Sequence, residues 1–129
     1  MAYRDLYSEI RAISAIVPGT QTVSPVNGAT LDMQPNKRLC FVVQTGTLSG
    51  GATYNARIQE SDNGTTWADV PAGFVDSNAP ASLTANGQWR LGYRGSKRYV
   101  RLQMNNPAAV GQLSMSAVAI VEPIDKPVL

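Results

Sequence analysis

Histidine is absent from this 129-residue chain, and cysteine occurs once. The first absence removes the commonest general base, the usual nucleophilic triad and most zinc sites together. The second excludes an intrachain disulfide, and Cys40, inside the apolar run 39–43, reads as a core residue. No stretch is apolar for long enough to cross a bilayer, so no membrane partner is expected. The opening Met-Ala-Tyr-Arg-Asp has no apolar signal segment, which makes synthesis and folding in a cytoplasm the expectation. Neither sign of charge prevails: eleven basic residues against nine acidic ones leave +2, a balance that selects neither nucleic acid nor membrane as partner.

What is present is a succession of short strand patterns separated by turn residues. The length suits one domain with a real core. Residues 54–71, YNARIQESDNGTTWADVP, organise the reading. Tyr54, Ala56 and Ile58 alternate with Asn55, Arg57 and Gln59, the period of a strand with one wet face. Asp62-Asn63-Gly64-Thr65 supplies a turn, because Asn and Gly reach positive φ cheaply and the Asp62 carboxylate is suited to accept from amides ahead of it. Trp67 and Val70 then return as a second strand, and Pro71 closes the hairpin. Its structural residues are therefore Asp62, Asn63, Gly64, Thr66 and Trp67. The run is also similar to the D-x-G-x-T-W hairpin of sialidase-type propellers, but a propeller needs several copies and this chain has one.

Along the rest of the chain, residues 1–18 read as an N-terminal arm, helical or extended, because Leu6, Ile10, Ile13 and Val17 fit a helical period while Ile13, Ala15 and Val17 also alternate. Residues 19–122 form the expected β-domain and 123–129 an extended C-terminal tail. Short strands are expected at 20–23 and 29–33. The continuous apolar run in 37–45 predicts a central strand covered on both faces. Residues 72–87 read as a long surface connection. Strands follow at 88–93, 99–104 and 113–121, the last apolar on both faces in its second half. About seven short strands predict an all-β fold, a single-domain antiparallel β-sandwich, with the jelly roll among the arrangements it permits.

Candidate chemistry is sparse. Glu60, Asp62 and Asp69 lie close together in sequence, as a glycosidase pair requires, but turn and strand-edge roles account for two of them. Asp62-Asn63-Gly64 lacks the alternating ligands of an EF-hand. No catalytic residue, metal or cofactor is therefore expected. The one charge cluster is Arg90, Arg94, Lys97, Arg98 and Arg101. It suits an acidic protein surface or, as the lesser branch, phosphates. The plainer reading makes Arg90 and Arg101 solvated strand faces and Arg94, Lys97 and Arg98 the decoration of a turn. Trp89 and Tyr93 share the apolar phase of their strand and read as core.

The runs IQESDNGTTWADV (58–70) and LGYRGSKRYVRL (91–102) resemble a family of small structural proteins of tailed bacteriophages, with a similar LQ-E-S-DDG-T-F-DV hairpin and GY-GSKRYVR strand-turn-strand. Leu31-Asp32-Met33-Gln34 partly echoes the family's DLQ segment, and the Asp5-Leu6 start and Pro127 ending also fit. Trp67 stands where the family has Phe, and the tail lacks its basic residues. The resemblance implies a non-enzymatic virion protein made in the host cytoplasm. Within that class the expectation is a decoration or cement protein on the capsid exterior, partnered by the major capsid protein and forming a homo-oligomer on the shell. A head-tail connector or minor tail protein is the alternative, and a carbohydrate-binding module the alternative from another class. Arg94, Lys97 and Arg98, with the apolar Leu6, Ile10 and Ile13, are the candidate capsid contacts.

Overall fold

The structure, a computed structural model, describes residues 5–125. Two antiparallel five-stranded sheets pack face to face as a β-sandwich, and among the described residues the only helical turn is a 3-10 turn at Ala72–Phe74. In chain order the strands are β1 (Arg11–Gln21), β2 (Val26–Asn27), β3 (Leu31–Asp32), β4 (Asn36–Ser49), β5 (Asn55–Ser61), β6 (Ala68–Asp69), β7 (Val75–Ser77), β8 (Gln88–Tyr93), β9 (Tyr99–Asn105) and β10 (Gln112–Pro123). Sheet A runs β1-β10-β4-β8-β7. Sheet B runs β2-β9-β5-β6, with β3 also paired to β9.

The period-two patterns deliver the core. Leu39, Phe41 and Val43 of β4, Leu113, Met115, Ala117, Ala119 and Val121 of β10, and Leu91 and Tyr93 of β8 point inward from sheet A. Ile58, Val100, Leu102 and Met104 meet them from sheet B. Each fully buried side chain of this size stabilises the fold by roughly 1.5–3 kcal/mol relative to leaving it in water. Thr45 keeps the inward phase of β4 as a buried hydroxyl, because it donates to the Thr84 carbonyl at 2.6 Å and accepts from the Gly87 amide at 3.0 Å.

Several expectations change on folding. Residues 11–18, read as part of an arm, are extended and belong to sheet A as the first part of β1, which pairs with β10 and continues through Gln21. No separate strand forms at 20–23. Two register shifts, between Ser14 and Ile16 and between Ile16 and Gly19, absorb Pro18 and bend this edge strand, which blurs its period in the sequence. The stretch 72–87 is not wholly surface: it carries β7, paired with β8, and it inserts Leu83, 1% exposed, into the core. Trp67 precedes β6, so the return strand of the hairpin is only Ala68–Asp69. The tail leaves β10 at Pro123, and its last four residues lie outside the described residues, as do the first four of the arm.

The largest correction concerns β4. It is central in its sheet, but among the described residues only its inner face is covered by another element. On the outer face the register aligns Ala12, Ile120, Cys40 and Gly92 in one row and Ser14, Val118, Val42 and Arg90 in the next. Cys40, Val42 and Ile120 are half-buried there and Val118 is 39% exposed. The outer face of sheet B is the opposite in character, with Asn27 beside Gln103 beside Arg57 and then Arg101 beside Gln59 beside Asp69.

Candidate functional site

The two sequence motifs meet at one end of the sandwich. The hairpin turn after β5 is tied by Asn63, whose Oδ1 accepts from the Thr65 and Thr66 amides at 2.9 Å each and from the Ser61 hydroxyl at 3.0 Å. Ser61 Oγ in turn accepts from the Asn63 and Gly64 amides. Gly64 takes φ +78, as the turn chemistry predicts. The hub is therefore Asn63 and not Asp62. The Asp62 carboxylate turns away to meet Lys97 Nζ at 3.0 Å.

That ion pair is one of three that hold the loop between β8 and β9. Arg94 Nε meets Asp76 of β7 at 2.8 Å. Arg98 embraces Asp32 of β3 in a fork, Nε to Oδ1 at 3.1 Å and Nη2 to Oδ2 at 3.0 Å, while its carbonyl accepts from the Met33 amide. The Arg98 guanidinium first, and the Gln34 amide next, hold the Asp32 carboxyl below its ordinary value, and Asp32 raises Arg98 in return. Asp62 likewise raises Lys97. The three basic residues named as capsid contacts are thus each placed against an acid of their own chain, from three different elements. Sequence reading missed this because Asp32, Asp62 and Asp76 are remote in the chain from the cluster they neutralise.

Under the loop lies Tyr93, 8% exposed. Its hydroxyl donates to Glu60 Oε1 at 2.8 Å and accepts from the Lys97 amide at 3.0 Å. Burial first, opposed by that amide and reinforced by the Glu60 and Asp62 carboxylates, pushes the phenol up to about 12. A Cβ at Gly95 would collide with the Tyr93 ring, so the loop closes over this side chain only because position 95 is glycine. On the outer face of sheet B, the Arg101 guanidinium lies 4.4 Å from the centre of the Trp67 ring and donates to Gln59 Oε1 at 2.9 Å. Arg98 lies 5.0 Å from the Tyr99 ring, which also packs under Gly64. Both aromatic rings on this face are engaged by arginines of the same chain, an arrangement that cations over aromatic faces favour. A saccharide-stacking platform would instead leave such rings open to a ligand.

The three carboxylates weighed as a catalytic pair are held separately. Glu60 faces Tyr93, Asp62 faces Lys97, and Asp69 accepts from Arg57 and Gln59. Among the described residues, no three His, Cys, Asp or Glu side chains converge as metal ligands do. Of the arm contacts, Leu6 is 64% exposed, Ile10 is half-buried beside Cys40 and Ile120, and Ile13 packs against the core. Trp89 and Tyr93, read as core, do pack there, Trp89 half-buried and Tyr93 fully.

No protein-family model matches the chain, and neither a curated protein nor a solved structure is significantly similar to it.

Proposed function

We propose that the protein is a non-enzymatic structural component of a tailed-bacteriophage virion. Within that class it is a decoration or cement protein, seated on the outside of the capsid shell as a homo-oligomer and bridging neighbouring copies of the major capsid protein. The observation that carries this reading is the way its two family-like motifs, 58–70 and 91–102, interlock as one unit. Asp62 pairs with Lys97, Glu60 with Tyr93, Gln59 and Trp67 with Arg101, and Gly64 with Tyr99. These pairs, together with the ties of Arg94 to Asp76 and Arg98 to Asp32, give the polar side chains of the motifs architectural roles. A rigid sandwich with such a locked end suits a part that is placed many times on a repeating lattice, where many weak contacts sum.

Imaging of the purified parent particle by electron cryo-microscopy tests this. Density for the sandwich at every equivalent position of the shell exterior is the expected result. Copies confined to one vertex would make it a connector or tail component, and particles lacking the protein altogether would overturn the virion reading.

A further inference from the structure

The outer faces of antiparallel sheets are ordinarily polar where they meet water. Sheet B obeys this. Sheet A does not: Ala12, Cys40, Val42, Val118 and Ile120 lie side by side across β1, β10 and β4, and no element among the described residues covers them. A contiguous apolar face of this kind marks a contact surface.

We infer that the outer face of sheet A is the surface by which the protein docks, and that its partner is a virion subunit presenting an apolar centre flanked by carboxylate. The inference rests on the virion reading above and adds the surface and the chemistry that fits it. Two depressions flank Cys40. One, of about 310 Å³, is lined by Ile10, Leu39, Cys40 and Ile120 with the paired Arg38 and Glu122 also on its wall, and its apolar floor suits an apolar side chain. The other, of about 360 Å³, is lined by Cys40, Gly92, Asn78, Ser77 and Arg90, with Asp76 also on its wall but already paired with Arg94. Gly92 opens the second depression, since a Cβ there meets nothing closer than 3.8 Å.

Charge selects the occupant. Arg38, Arg90 and Arg94 face Asp76 and Glu122 around this apolar centre, three cations against two acids. Arg94 is bonded to Asp76, and Arg38 covers Glu122, whose side chain is 11% exposed. Arg90 is exposed and forms no ion pair among the described residues, so it is the group that a partner carboxylate would meet. A second copy of this chain, docked by the same face across a two-fold axis, would bring two net-positive rims together. Like charges brought together in this way oppose the pairing, whereas an acidic partner is steered and registered by them. The basic loop after β8 already has its acids, which leaves this face and not that loop with unmet demands.

The test uses shells assembled from the capsid protein encoded with this one, prepared without it, and binding measured by co-sedimentation. Val118→Asp and Arg90→Glu alter exposed side chains. Each should weaken binding by about tenfold or more, because one buries an unpaired carboxylate and the other reverses the complementary charge. The double variant Lys97→Ser, Arg98→Ser should bind within about threefold of wild type, since exposed ion pairs contribute little. The sole thiol gives an independent readout: maleimide modification of Cys40 should slow on shell binding. Full-strength binding by both face variants, or unchanged Cys40 labelling in the bound protein, would overturn the assignment of this face. A free protein that sediments as a dimer with Cys40 protected would overturn the foreign partner in favour of a second copy. Failure of wild type to bind shells at all, with Cys40 open and the protein monomeric, would instead count against the virion reading.

Discussion

At the scale of single residues, the hairpin and the buried phenol make the sharpest claims. Gly64 has space for a side chain, since a Cβ there would sit 3.6 Å from the Tyr99 ring; its constraint is φ +78. Gly64→Val should therefore destabilise the domain by about 1–3 kcal/mol through backbone strain. Chemical denaturation with an unchanged midpoint would show that the turn does not need the left-handed conformation. Asn63→Ala removes the acceptor of two amides and a hydroxyl and should cost about 1–2 kcal/mol, as loss of a side-chain cap does. Asp62→Ala should shift the midpoint much less, because its partner Lys97 is an exposed cation. If the two variants changed places in that ranking, the hub would be the carboxylate after all. Tyr93 sets a pH limit. Its phenol ionises near 10 in the unfolded chain and only near about 12 in the folded one. The folded state then retains a proton that the unfolded state loses. Its contribution is whole below about pH 10 and is lost as the pH rises toward about 12. Equilibrium unfolding across that window should show a steep fall for wild type and a shallower one for Tyr93→Phe; equal slopes would mean the phenol is not held neutral by its site.

At the scale of elements, the loop between β8 and β9 changes meaning between sequence and structure. A run of cations with no acid among them looks like a free basic patch. In the fold it is a fastening between sheets, with β3 and the hairpin turn supplying Asp32 and Asp62 from sheet B and β7 supplying Asp76 from sheet A. Solvent screening keeps each such pair weak. Replacing Arg94, Lys97 and Arg98 together with serine should therefore leave the protein folded, with a lower denaturation midpoint in low salt and a smaller difference from wild type in high salt. A salt-independent difference would show that packing, and not charge, holds the loop. β10 and β4 form the other decisive pair, matched along nearly their whole length in the middle of sheet A, whereas β2, β3 and β6 each pair over two residues. Hydrogen exchange should be slowest along β4 and β10 and fastest in those short strands, in keeping with local opening where few contacts hold the backbone. Equal protection throughout would contradict a sheet built around one long central pairing.

At the scale of the whole molecule, the sandwich has two unlike outer faces. Sheet B presents a hydrogen-bonded surface of Asn27, Gln103, Arg57, Asp69, Gln59 and Arg101 that satisfies itself. Sheet A presents aliphatic side chains and Arg90, which forms no ion pair among the described residues. If the protein sits on a shell as proposed, this polarity would set its orientation: the apolar face toward the partner, the amide-rich face toward water. The exposed Leu6 and Tyr7, at 64% and 82%, lie just before the edge strand β1.

The sequence by itself determined the class of fold and most of the strands, because a half-buried strand must alternate and a turn must use Asn, Gly or Pro. The patterns at 88–93 and 99–104 coincide with β8 and, to within a residue, β9, and Gly64 has the φ its position demanded. β1 was illegible in the same terms: its bulges and Pro18 break the period, and its place in the sheet depends on β10, about a hundred residues away. Tertiary structure alone decided which acids meet Arg94, Lys97 and Arg98, since those partners come from elements that the chain brings together only on folding. It also decided the apolar outer face. A run such as residues 39–43 says that a strand has two apolar sides; only the stacking of the sheets says which side the core covers, and here the other is left without cover by any described element.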